Sequence, residues 1–357
     1  GCLPLSMLAG GTVFSGGGFT SRACRSLDGV GQGPLQRPRK AEDYHHLRVS
    51  PMHPWQCDRQ GTSDLWRECP SRSTTSRAVP ELMGLTGRAT ALLLEKCREE
   101  NPLVQCITNF VSMDLMANTL LAAGASPAMA HSISEVESFV ELASALLVNV
   151  GTLSEDWAGG MKLAALTAGR LRKPWVLDPV ACGATPARTS LCKDLMALGP
   201  TVIRGNASEI MALASLGGER TRGVDSSHPS EAAAPMARAL AARQGCIVAV
   251  SGAVDVVTDG TRTLLVGNGH PLLQKVTATG CSVTALIAAF VAVAGPEQAL
   301  EATAHALAYF GVAAERAAVD EAGQVRGPGS FRVKLLDELD LLCAAQLVHA
   351  SRIGRST

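Results

Sequence analysis

A cysteine stands where a polar turn meets an apolar run in "QKVTATGCSVTALIAAF", residues 274–290. Thr277, Ala278, Thr279 and Gly280 form the turn, and Cys281 opens what reads as a helix of small apolar residues. Amides in the first turn of a helix lack an internal partner, and the helix dipole adds partial positive charge there. A glycine in such a turn lets the chain curve tightly and lets a ligand come close. The combination suits an anion, above all phosphate oxygens. Small residues also precede helices for packing alone, so the turn gains weight only from other groups.

Those groups are present. "IRGNASEI" places Arg204 at the end of an expected strand, with Asn206 and Glu209 at the start of an expected helix. Asn206 has the chemistry of a helix cap. Glu209, on the same first turn, is able to hold a hydrated magnesium ion or else is a solvated glutamate beside the cap. "VLDPV" puts Asp178 at another strand end, as a metal ligand or a turn cap. The planar, delocalised charge of Arg204 suits phosphate, although a surface ion pair is the plainer alternative. An anion hole, an arginine and two carboxylates, all at strand ends, together describe phosphoryl transfer from a magnesium nucleotide. Such catalysis rests on positioning and charge neutralisation more than on covalent chemistry. The chain contains no G-x-x-x-x-G-K-[ST], which excludes a P-loop as the phosphate cradle.

These residues need a scaffold, and the sequence describes one. Buried strands are expected at 103–108, 144–150, 174–180, 201–206 and 246–252, each ending in polar or glycine residues. Helical runs lie between them at 113–123, 135–143, 156–170, 207–216 and 231–244. "VDVVTDGTRTLLV" (254–266) reads as a hairpin turning at Asp259-Gly260, and the chain beyond 281 as mostly helical. Alternating strands and helices imply an α/β fold with a mainly parallel, helix-covered sheet. Ligands of such sheets bind beyond the carboxyl ends of the strands, where every polar tip above falls. Smaller features read as structural: His270 as a turn residue, His131 as a packing or subunit-contact residue, "GPGSF" (327–331) as a loop capping the last helix, and 297–318 as core helix.

Composition sets the limits. The chain has 357 residues, zero formal net charge and only 4% aromatic residues, so nothing points to nucleic acid or an acidic membrane surface. The apolar stretch 281–294 falls short of the ~20 residues that span a bilayer and reads as a buried helix. Eleven scattered cysteines without zinc spacing fit reduced thiols in a cytosolic or organellar compartment. Residues 1–80 are rich in Gly, Ser, Arg and Pro and are expected to be a disordered leader. It resembles an organelle transit peptide loosely, being richer in acids than such peptides, and a leader without an address fits equally. The expected compartment is cytoplasmic or plastid.

The motifs "ITNFVSMDLMANTLLAAGASPAMA", "NVGTLS", "LDPVACGATPART", "IRGNASEI", "VSGAVDVVTDG", "NGHPLLQKVTATGC" and "GPGSFRVKLLDEL" resemble the hydroxyethylthiazole kinase family, in the family's order, from about residue 85 to about 345. The resemblance implies a ribokinase-like α/β domain over 81–350, with helices on both faces of the sheet and no separate lid domain. It implies transfer of phosphate from ATP, with Mg2+, to the primary alcohol of 4-methyl-5-(2-hydroxyethyl)thiazole in thiamine salvage. It also implies a homotrimer with active sites at subunit interfaces. By the same resemblance Met129 holds the thiazole, and Asn109 and Val111 line its pocket. Arg204, Ser251 and Asn206 lie at ATP, and Asp178 and Glu209 at magnesium. Gly280 and Cys281 close the anion hole. Ala278 stands where many relatives have glycine; its methyl group disfavours glycine-only backbone angles and puts that substrate contact in question.

Sugar kinases of this superfamily usually carry an aspartate base where this chain has Cys281. A helix N-terminus can lower a thiol's pKa, yet a thiolate would repel the incoming phosphate. The favoured expectation is therefore a weak or absent base role. The candidate lining of Val111, Met129, Ala278 and Cys281 is apolar or soft, as a flat thiazole requires. Two other readings are a kinase for hydroxymethylpyrimidine, disfavoured by "ITNFVSMDLMAN" and Cys281, and a nucleotide-binding subunit without turnover, disfavoured by Asp178, Arg204, Glu209 and Gly280.

Overall fold

Strands covered on both faces lose the alternation of apolar and polar residues, and each neighbour along the strand serves a different core. The computed structural model describes residues 84–216 and 230–356, and the expected leader at 1–80 lies outside them. Nine strands form one sheet among the described residues: β1 (Leu103–Ile107), β2 (Ser126–Ala128), β3 (Ala145–Asn149), β4 (Trp175–Asp178), β5 (Val202–Asn206), β6 (Ile247–Ser251), β7 (Asp255–Thr258), β8 (Thr263–Val266) and β9 (Ile353–Arg355). Their order is β2-β1-β3-β4-β5-β6-β7-β8-β9. The first six are parallel, and β7, β8 and β9 continue the sheet antiparallel.

Two cores lie on the two faces. Leu147, Val176, Val202 and Ala249 point into one, with helices Gly87–Glu100, Met113–Ala122, Thr279–Ala294 and Ala299–Ala317. Leu146, Val148, Leu177, Ile203 and Val250 point into the other, with helices Val136–Leu142, Glu155–Arg170, Pro186–Met196, Ala207–Ser215 and Ser230–Gln244. Helix Thr279–Ala294 is apolar almost all round because it is buried almost all round. No helix among the described residues is long and apolar enough to cross a membrane.

Each strand and helix expected within residues 103–266 is found, with ends moved by one or two residues. Four helices and strands among the described residues were not expected, the first being helix Gly87–Glu100, capped by Thr86. Helix Pro186–Met196 begins at Thr185, whose side chain accepts from Arg188 N, with proline in the first turn. That threonine–proline pair is a helix-start signal the sequence did carry. Strand β2 is three residues long and contains Pro127, and β9 is short and largely exposed, so neither has a hydrophobic period to read. "GPGSF" is corrected: Gly327 is the N-cap of helix Pro328–Leu341, so most of the motif lies inside that helix. His270 is a turn residue, its Nδ1 accepting from Leu272 N. His131 packs edge-on against Trp157 at 4.7 Å.

Candidate active site

The carboxyl ends of β1, β3, β4, β5 and β6 share one edge of the sheet, and the start of helix Thr279–Ala294 reaches the same edge. Ala278 is the N-cap of that helix, with φ 69° and ψ −1° and no side-chain capping bond. The first helical bond runs from Ser282 N to Ala278 O, which leaves the amides of Thr279, Gly280 and Cys281 ahead of it. The methyl group of Ala278 was expected to keep it from glycine-type angles. The chain adopts the left-handed conformation there regardless, at a strain of about 1 kcal/mol.

Arg204, on β5, lies against this turn. A Cβ on Gly280 would sit 3.0 Å from Arg204 Nη1, so glycine is what allows the approach. Arg204 Nε and the hydroxyl of Ser251, at the end of β6, are buried without any hydrogen bond from the protein. Buried polar groups rarely stay unpaired, and Arg204 beside open helix amides, with Ser251 in register with Asn206 at the same sheet edge, fits a ligand rich in acceptor oxygens.

Asp178, at the end of β4, is buried beneath the turn. Its Oδ2 accepts from Asn149 Nδ2 at 2.8 Å and from Thr284 Oγ1 at 3.0 Å. Thr284 Oγ1 also lies 3.0 Å from Gly280 O, so the carboxylate is tied to the anion-facing turn through one side chain. Burial pushes the Asp178 carboxyl up to about 6; Arg204 opposes the rise and Glu209 adds to it. Asp255, at the start of β7, is likewise pushed up to about 6 by burial, against a hydrogen bond from Gly252 N and the charge of Arg204.

Glu209 and Asn206 make a complete capping box. Asn206 Oδ1 accepts from Glu209 N at 2.9 Å, and Glu209 Oε2 accepts from Asn206 N at 2.9 Å. Glu209 Oε1 takes the amide of Ala181 at 2.8 Å. Both carboxylates are thus engaged by the protein, and among the described residues no group of three His, Cys, Asp or Glu could hold a metal. Such a pair fits a hydrated magnesium ion that arrives on nucleotide phosphates, and does not fit an all-protein cage.

Asn109 follows β1. Its Oδ1 accepts from Val111 N and Ser112 N, and its Nδ2 donates to Asn149 Oδ1 at 2.9 Å and to Cys281 Sγ at 3.6 Å. Cys281 is pushed up to about 11, chiefly by burial and then by the Asp178 charge, with Asn109, Asn149 and Arg204 opposing. The direction is opposite to the lowering that a helix N-terminus alone would give, and its first cause is loss of solvent. Met129, just past β2, is partly buried against the core on that face of the sheet, whereas Val111 is 58% exposed. Phe110, 70% exposed, packs against Trp157 with the rings tilted at 31° and centroids 4.6 Å apart, and shares an apolar rim with Val111.

Gly280, Arg204, Asp178 and Glu209 thus surround one place. Asn149, Thr284 and Asp255 belong to it as well and were not singled out from the sequence. Asn149 was inside a quoted motif, and Thr284 lies one helical turn beyond Gly280, so spacing alone held the hint.

A mainly parallel sheet with an uncapped helix start, an arginine and a buried aspartate at its carboxyl edge puts the chain in the α/β class, with an anion-suited site at the strand ends. Within that class the chain belongs to the hydroxyethylthiazole kinase family, whose profile matches residues 94–345. It is 51% identical over 264 residues to a hydroxyethylthiazole kinase of Arabidopsis thaliana, covering 73% of this chain and 94% of that protein. To one of Zea mays it is 55% identical over 267 residues, covering 73% and 91%. The solved structure of a hydroxyethylthiazole kinase protein from Pyrococcus horikoshii OT3 superposes with a TM-score of 0.68 at 43% identity. That match covers 75% of this chain and 99% of that one.

Proposed function

We infer that the protein is a hydroxyethylthiazole kinase, transferring the terminal phosphate of ATP to the hydroxyl of 4-methyl-5-(2-hydroxyethyl)thiazole. The observation that carries the reading is the open start of helix Thr279–Ala294, facing Arg204 and tied to Asp178, in a chain of this family. The alcohol oxygen bonds to the γ-phosphorus as the bond to the departing ADP breaks, and the hydroxyl proton leaves to a phosphoryl oxygen or water. Amides of Thr279, Gly280 and Cys281 receive the charge on the transferred group, and Arg204 and Ser251 complete its partners. Magnesium, held by Asp178 and Glu209 through its waters, would neutralise charge between the phosphates. Met129, Asn109 and Val111 receive the ring, and Asn206 caps the helix that carries Glu209 at the nucleotide end.

Cys281 is a neutral thiol in this scheme and lines the site rather than accepting the proton, since it holds its own proton up to about pH 11. Cys281→Ala is expected to keep turnover within about tenfold of the parent, below the 10²–10⁴ that general-base catalysis supplies. Its pH–rate profile should overlay that of the parent between pH 6 and 9. Complete loss of turnover with intact folding and nucleotide binding would restore the base.

The exposed apolar rim of Phe110, Val111 and Ile133 supports burial by a second copy of the chain, in a homotrimer whose sites lie between subunits. Sedimentation equilibrium at working concentration tests this, and a monomer would reject it. The activity is tested with magnesium and ATP plus the thiazole alcohol, the hydroxymethylpyrimidine or ribose, by measuring ADP. Preference for either of the last two would reject the proposed substrate.

A further inference from the structure

We propose that Asn149 is a positioning residue for phosphoryl transfer: it locks the Asn109 side chain beside Cys281, using Asp178 as its anchor. The inference rests on the kinase reading of the same site and adds a residue to it. Asn149 is the last residue of β3, and the parallel register sets it beside Asp178 of β4 and next to the end of β1. It is fully buried, and both ends of its amide are used. Oδ1 accepts from Gly151 N at 3.0 Å and from Asn109 Nδ2 at 2.9 Å; Nδ2 donates to Asp178 Oδ2 at 2.8 Å.

The direction of this chain is fixed by chemistry. Gly151 N only donates, so the oxygen of Asn149 must face it, and its nitrogen must face the carboxylate. Asn109 is oriented in the same way, because the backbone amides of Val111 and Ser112 claim its oxygen. Its nitrogen is therefore left to bridge Asn149 and Cys281. Gly151 makes room: a Cβ there would lie 2.7 Å from the Asn109 Cβ. Asp178 Oδ2 also accepts from Thr284, whose hydroxyl touches Gly280 O, so one oxygen atom sets both the substrate-side amide and the phosphate-side turn. A bidirectional amide is required at position 149. No apolar residue keeps Asn109 in place, and a carboxylate would face Asp178 unpaired.

The test is a double-mutant cycle with Asn149→Ala and Asn109→Ala in the full-length protein. Folding is checked by circular dichroism and thermal melting, and Asn149→Ser replaces the alanine variant should that one not fold. Asn149→Ala is expected to lower kcat by about 10–100-fold, because small displacements of reacting groups have effects of that size. KM for ATP should stay within about threefold, since Asp178 keeps its bond from Thr284, whereas a general loosening of the fold would move both constants. The double variant should be slower than Asn109→Ala alone by clearly less than the factor Asn149→Ala costs in the parent, the remainder reflecting the bonds of Asn149 to Asp178 and Cys281. A kcat within twofold of the parent for Asn149→Ala, or single losses that multiply in the double variant, overturns the inference while leaving the kinase reading intact. Absence of thiazole-alcohol phosphorylation by the parent removes both.

Discussion

Two helices begin at the same edge of the sheet and treat their free amides in opposite ways. Helix Ala207–Ser215 satisfies its own: Asn206 and Glu209 exchange side-chain bonds across its first turn. Helix Thr279–Ala294 has no side-chain cap and starts from a left-handed alanine. The first is closed by its own polar groups, and the second stays open beside a guanidinium. A helix start becomes a binding element when the sequence withholds a cap, and the cap next door shows that the withholding is local.

The sharpest way to test this contrast is to remove the cation from the open start. Arg204→Met should lower kcat/KM by roughly 10²–10³, the usual loss for one charge-stabilising donor, as read by steady-state kinetics. The melting temperature should change little, because the orphaned Nε gives the fold no hydrogen bond. Equal loss from Asn206→Ala would erase the distinction between the two helices.

The closed start separates cap from charge. Glu209→Gln removes the carboxylate charge and keeps the bond to Asn206 N, while the amide of Ala181 loses its acceptor. Turnover should fall about tenfold, by lost charge at the metal, with stability lower by no more than about 1 kcal/mol for the unpaired Ala181 amide. Asn206→Ala should do the reverse, with kcat within about threefold and about 1 kcal/mol less stability in urea.

The open start is also where carboxyls are buried. Asp178 and Asp255 bind their protons more tightly folded than unfolded, at about 6 against 3.8. Stability from this source is complete below pH 3.8, declines as pH rises toward 6 and is gone above it. The decline for Asp178 is on the order of 2–3 kcal/mol. Urea midpoints from pH 4 to 7 should show the fall, and Asp255→Asn, which keeps its acceptor for Gly252 N, should flatten part of it. A rise over the same range would contradict the assignment.

The smallest effect is at Ala278. Replacing it with glycine removes the left-handed strain and should raise stability by roughly 0.5 kcal/mol or less, after the greater freedom of the unfolded glycine is subtracted. Denaturant titration resolves a change of that size, and destabilisation would show that the methyl group packs usefully.

Much of this arrangement was legible in the sequence. Apolar runs such as "SALLVNV" and "CIVAVSG" state a doubly covered strand plainly, and Asn206 with Glu209 spells its own capping box. The turn before Cys281 showed itself by what it lacked. Other features were not legible because they depend on neighbours distant in the chain. No local pattern tells that Asn149 will stand beside Asp178, since strand register decides it. Nor could the state of Cys281 be read, because the dipole at a helix start is visible in sequence and the depth of burial is not.

Asn109 meets a sulfur 172 positions away, and Asp178 meets Thr284 across 106. Contacts of such long range close slowly during refolding, and parallel pairing adds to the delay. The reactive centre therefore has no half-built version: no contiguous fragment shorter than the span from Asn109 to Thr284 contains it, and activity returns only when the whole sheet edge has come into line.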